Sequence, residues 1–174
     1  MRKFLDMLYQ ASGIAAAGFI VVITLVVSAQ VVLNLVTKVF GAEYAYTIPS
    51  YADFAGFSLA AASFLALAYT LNKGGHIRVT LLIQTFGRIP RLAAEVFSLA
   101  IGAIMAGFMT YYMIRLNYES WDYGDLSFGI IAIPIWIPQL AVSGGLLILT
   151  IAFVDLLVAT LRAGRPVLKH KERE

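Results

Sequence analysis

The chain has 174 residues, 60% of them hydrophobic and 13% charged, with a net charge of +3 and a mean hydropathy of +0.83. Ordinary soluble domains are about 45–50% apolar, so the excess places this chain in the membrane class. The absence of Cys excludes disulfides, thiolate metal sites and a cysteine nucleophile, and so small a basic excess with no soluble face to carry it argues against nucleic-acid binding.

Four stretches contain no Asp, Glu, Lys or Arg: Met7 to Thr37, Phe54 to Asn72, Val96 to Ile114 and Leu126 to Val154. A run of about 20 apolar residues matches the ~30 Å hydrocarbon core of a bilayer, and a charged residue at its centre costs roughly 2.5–3.5 kcal/mol. The sequence therefore predicts an all-α integral membrane protein, a single domain over 1–174 with spans near 12–36, 54–71, 96–116 and 133–157.

Span 1 follows Arg2 and Lys3. Val27-Ser28-Ala29 resembles a weak cleavage site, but the uncharged run is longer than a signal h-region of about 7–15 residues. The expectation is a retained signal anchor, with the neutral Gln30 and Asn34 making helix–helix hydrogen bonds. Span 2 is rich in small residues, among them Gly56, Ser58, Ala61, Ala62 and Ala68. These suit close helix approach, within the chain or against another membrane protein. Gly102 and Ala106 offer the same in span 3.

Between spans 2 and 3, Val79, Leu82, Ile83, Phe86 and Ile89 recur at spacings of three and four. This predicts an amphipathic helix over about 77–92 lying in the membrane interface, introduced by Gly74-Gly75 and ended by Pro90. Arg78, Arg88 and Arg91 are its candidate contacts with lipid headgroups. After span 3 the short link carries Glu119, Asp122 and Asp125. Pro134 suits the first turn of span 4; Pro138, one turn deeper, predicts a kink; Trp136 anchors the entry. A basic tail, 162–174, follows.

Eleven of the thirteen Lys and Arg fall in the N-terminus, the second link and the tail. With an even number of spans, the positive-inside rule places both termini in the cytoplasm. Tyr111, Tyr112, Tyr118, Trp121, Tyr123 and Trp136 then fit the outer aromatic belt.

Catalytic chemistry is not visible. The two histidines, His76 and His170, lie outside the spans, so they form no bis-histidine haem site. No ligand set with metal spacing and no nucleophile–base pair can be assembled, so neither enzyme activity nor a cofactor is expected. A self-sufficient ion-coupled transporter normally carries an ionisable group at depth. Here Glu95 and Asp155 fall near the cytoplasmic ends of their spans and are expected to pair with Arg91 or Arg162. An independent small transporter, which would want a carboxylate in mid-span 1, and a membrane anchor of a redox complex remain as other classes.

The most specific segment runs from Glu119 to Gln139 and contains the pattern E-S…G-D-x-S-x-G…I-P-x-W-x-P-Q. With the Gly74-Gly75-His76-Ile77-Arg78-Val79 stretch, the length and the four spans, it resembles the small, DctQ-like membrane subunit of tripartite ATP-independent periplasmic (TRAP) transporters over roughly residues 10 to 160. The resemblance marks Gly75, His76, Arg78, Ser120, Gly129, Pro134, Trp136, Pro138 and Gln139 as motif positions of structural role. It implies a bacterial inner-membrane subunit without catalytic residues or cofactor, partnered by a large multi-span subunit holding the substrate and sodium sites. A periplasmic binding protein would deliver organic anions such as carboxylates, dicarboxylates or sialic acids. The small subunit would scaffold the large one, and Glu119, Asp122 and Asp125 are its candidate docking surface for the binding protein.

Overall fold

The computed structural model describes residues 2–73 and 88–164. They form four helices: α1, Arg2–Phe40; α2, Tyr51–Asn72; α3, Arg88–Asp122; and α4, Trp136–Ala163. A short 3-10 turn, Ala42–Tyr44, lies between the first two. All four are long and apolar enough to cross a membrane. α1 and α3 outrun their charge-free stretches at both ends, where charged residues suit the water beyond the hydrocarbon: the 39 residues of α1 extend about 58 Å at ~1.5 Å per residue.

The helices stand in a row. α1 packs on α2, α2 on α4, and α4 on α3, while α3 forms no packed pair with α1 or α2 among the described residues. The spatial order is therefore α1-α2-α4-α3, with the two longest helices at the edges. The buried core follows the middle of this row, through Ala68 and Leu71 of α2 and Leu146, Leu149, Ala152 and Leu156 of α4.

Each contact has a readable cause. α3 buries Leu99, Ala106, Thr110, Asn117 and Ser120, spaced by seven, four, seven and three. That is a heptad seam, the pattern that keeps one stripe of a helix against one neighbour. Gly102 lets the Phe153 ring of α4 lie against the α3 backbone. Two polar rungs cross the same seam: the Thr110 and Thr150 hydroxyls are 3.0 Å apart, and Asn117 Nδ2 donates to Ser143 Oγ at 3.1 Å. Interhelical bonds of this kind contribute about 0.6 kcal/mol each in a bilayer.

α2 and α4 meet more closely. A Cβ on Gly145 would stand 2.6 Å from the carbonyl carbon of Phe64, so the two backbones touch there. Ser58, Ala61, Ala62 and Ala68 of α2 are buried within the chain, whereas Gly56 and Ser63 are exposed. The small residues of span 2 thus divide between internal packing and the outer surface. α1 joins α2 near its start, where the Ser12 hydroxyl donates to the Leu65 carbonyl and Gly13 lies under the Tyr69 ring. Between Ala16 and Gln30, α1 buries no residue.

Two local expectations are corrected. Pro90 does not end a helix; it lies within α3. Arg88 and Arg91 likewise belong to α3, and residues 77–87 of the expected interfacial helix lie outside the described residues. Pro134 precedes α4, pairing with Leu126 in an isolated antiparallel bridge, and Pro138 occupies the first turn of a helix that begins at Trp136. The N–H that proline lacks has no intrahelical partner in a first turn, so Pro138 starts α4 and does not kink it.

Candidate docking cap

The α1–α2 and α3–α4 links share one end of the row, and the motif between Glu119 and Gln139 builds a cap there. α3 stops because Gly124 adopts a positive φ of 67°. The Asp125 N–H then turns back to the Ser120 carbonyl at 3.0 Å, the six-to-one bond of a Schellman ending. Ser120, only 2% exposed, is held under this turn. The chain next closes on itself through Ser127, whose N–H donates to the Ile133 carbonyl at 2.9 Å while its hydroxyl accepts the Ile133 N–H at 3.0 Å. The Ile135 N–H donates to the Asp125 carbonyl at 3.0 Å, which delivers the chain to the start of α4.

This loop is fastened to the other link by one long-range bond. The Ile131 N–H donates to the hydroxyl of Ser50 at 2.9 Å, across 81 residues of sequence. Ser50 has a left-handed φ of 55°, uncommon for a residue with a side chain. Gly129 lies directly on Ser50 and Asp53, leaving no room for a Cβ between them. Sequence reasoning missed this pair. A signal was present, because Ser50-Tyr51-Ala52-Asp53 matches the S-x-x-D form of a helix capping box. In the structure the Ser50 hydroxyl makes no cap bond and serves the neighbouring link.

Gln30 and Asn34 also differ from expectation. They do not bridge two helices: Gln30 Nε2 donates to Asn34 Oδ1 at 2.9 Å within α1, and Gln30 Oε1 accepts the Ile48 N–H at 2.9 Å. Their work is to tie the first link down onto its own helix. Gln139 places its Oε1 in the interior with no hydrogen-bond partner among the described residues.

The three acidic residues sit on the rim of this cap in different states. Glu119 forms an ion pair with Arg115 at 3.1 Å, one helical turn back. Both side chains are about half exposed, so solvent screens the pair and it contributes little to stability. Asp122 and Asp125 are exposed. The cap brings together Ser120, Gly129, Pro134, Trp136, Pro138 and Gln139 of the predicted motif; Gly75, His76 and Arg78 lie outside the described residues.

Glu95 and Asp155 lie toward the opposite end. Both are half-buried. Asp155 lines a groove with Arg162 but forms no ion pair with it, contrary to expectation. The buried Tyr9 hydroxyl lies near this carboxylate and makes no hydrogen bond among the described residues.

Comparison with curated proteins and with solved structures returns no match. Comparison with protein families matches Tripartite ATP-independent periplasmic transporters, DctQ component, over residues 23–163. That interval holds the C-terminal part of α1 from residue 23, all of α2 and α3, and α4 to its last residue, together with the whole cap. The four membrane-length helices and this family match together identify the chain as a multi-pass membrane protein of the DctQ family, a small permease component of a TRAP transporter.

Proposed function

We propose that this subunit is a non-catalytic scaffold for a larger membrane subunit, within a sodium-coupled, binding-protein-dependent importer of organic anions at the bacterial inner membrane. The large subunit holds the substrate and sodium sites, and a periplasmic binding protein delivers the solute. The basic N-terminus and tail face the cytoplasm and the cap faces the periplasm, as the distribution of Lys and Arg favours.

The observation that carries this reading is the character of the interior. Every buried polar residue among the described ones is an uncharged Ser, Thr, Asn or Gln. Such groups pin helices together, whereas binding sodium or a carboxylate at depth calls for charged side chains or broken helices. The row arrangement supports it too, since four helices side by side offer broad faces to a partner and to lipid.

Reconstitution tests the reading. The chain alone in liposomes, under an inward sodium gradient and with a panel of dicarboxylates and sialic acids, is expected to accumulate nothing above empty vesicles. Uptake is expected once the large subunit and the loaded binding protein are added. Sodium-driven uptake by this chain alone would overturn the scaffold role.

A further inference from the structure

At the end of the row opposite the cap, a groove of about 510 Å³ runs along α4 beside the start of α1. Arg2 and Arg162 stand at its mouth, Leu5, Val154 and Val158 form apolar walls, and Asp155 lies between. The two helices run antiparallel here, which sets the levels: Arg2 is opposite Arg162, Leu5 near Val158, and Tyr9 beside Asp155. Both arginines are exposed and neither forms an ion pair among the described residues.

We propose that this groove holds one anionic glycerophospholipid, its phosphate between the guanidiniums of Arg2 and Arg162 and an acyl chain along the apolar wall. Length points to a lipid and not to a free phosphate. The lining continues from Arg162 to Thr150, about 18 Å of helix at ~1.5 Å per residue. One leaflet of hydrocarbon is half of a ~30 Å core, about 15 Å. A guanidinium pair at one end and apolar wall for one leaflet's depth is the shape of a single lipid.

Charge points to the class of lipid. Two guanidiniums and one carboxylate leave the groove with a single net positive charge, which a monoanionic lipid neutralises and a zwitterionic lipid does not. Planar guanidiniums suit a phosphate through paired N–H donors. Asp155 lies about 10 Å deeper than Arg162, at seven residues of helix rise. It therefore sits below the level of the phosphate, among the apolar walls. This site lies on α1 and α4 and is separate from the arginines expected to line the interfacial helix between α2 and α3.

The test is lipid retention by the purified full-length chain, measured by native mass spectrometry after incubation with phosphatidylglycerol, phosphatidylethanolamine or diacylglycerol. One phosphatidylglycerol per chain is expected to survive release from the detergent micelle, in preference to the other two. Arg2→Gln with Arg162→Gln should weaken retention roughly ten- to thirtyfold, the combined effect of two basic groups near an anionic headgroup. Arg2→Lys with Arg162→Lys should restore part of it. Val154→Trp, with both arginines intact and at an exposed position that does not disturb packing, should also weaken retention by filling the wall. Equal retention of the three lipids, or wild-type retention in the double glutamine or Val154→Trp variant, would overturn the proposal. Because the readout is retention and not uptake, the outcome stands apart from the transport reading.

Discussion

Replacing Gly145 by Ala tests whether direct backbone contact between α2 and α4 organises the row. The added Cβ would sit 2.6 Å from the Phe64 carbonyl carbon, 2.7 Å from its oxygen and 2.9 Å from the Leu65 nitrogen. Ordinary contact between carbon atoms is about 3.5–4.0 Å. All three atoms belong to the backbone, so no side chain can swing aside, and the helices must separate by about 1 Å. Overpacking of this kind costs about 1–3 kcal/mol, and here it strikes the central pair on which both edge helices depend. Alanine also favours helix over glycine by up to about 1 kcal/mol, which would mask part of the loss. Gly144→Ala supplies the control, because a Cβ there meets nothing within 4 Å and the propensity gain is the same. The difference between the two variants isolates the clash and is expected to be about 1–3 kcal/mol, roughly 5- to 150-fold in the folding equilibrium. Unfolding by sodium dodecyl sulfate in mixed micelles, followed by tryptophan emission, measures it. If Gly145→Ala proves as stable as Gly144→Ala, close backbone approach is not what holds α2 to α4, and the argument from steric fit fails.

Three further outcomes are expected. Gly129→Ala should push the α3–α4 link off Ser50 and Asp53, exposing the Ile131 amide. Hydrogen exchange there should accelerate roughly two- to tenfold, since losing one hydrogen bond at this half-exposed site costs about 0.5–1.5 kcal/mol, and adding Asp53→Ala should recover part of the protection. Pro138→Ala should change stability by less than about 0.5 kcal/mol, against about 3 kcal/mol for a proline in a helix interior; a large effect on the same unfolding curve would return Pro138 to the body of α4. Reversing Glu119, Asp122 and Asp125 to Lys in the assembled transporter should slow binding-protein-dependent uptake at low salt, with the defect shrinking as salt screens the charges. Unchanged uptake at low salt would leave the acidic rim as a solvated surface.

Much of the candidate site was legible because its signals are local. Gly124 and Ser127 act within a few residues of themselves, so a glycine after an acidic helix end carries its meaning in the sequence. Even so, the assignment of Pro134 and Pro138 slipped by one turn, because charge-free length says where hydrocarbon begins and not where the helix does. Residues 126–134 are uncharged yet form the cap loop. Gln30 and Asn34 were misassigned for a related reason: a polar pair in a span looks the same whether it bonds to a neighbouring helix or to the link just beyond its own.

The sequence by itself determined that this is a four-span membrane protein, because the cost of placing a charge in hydrocarbon is paid residue by residue and is visible in any window of about 20. It also carried the family motif. Only the tertiary structure decided that the helices stand in a row in the order α1-α2-α4-α3, that Gly145 rests on the backbone of Phe64, and that Ser50 fastens one link to the other across 81 residues. Those facts depend on which surfaces meet. In a bilayer, lipid and protein are alike in hydropathy, so the choice rests on steric fit and on single hydrogen bonds that no hydropathy profile registers.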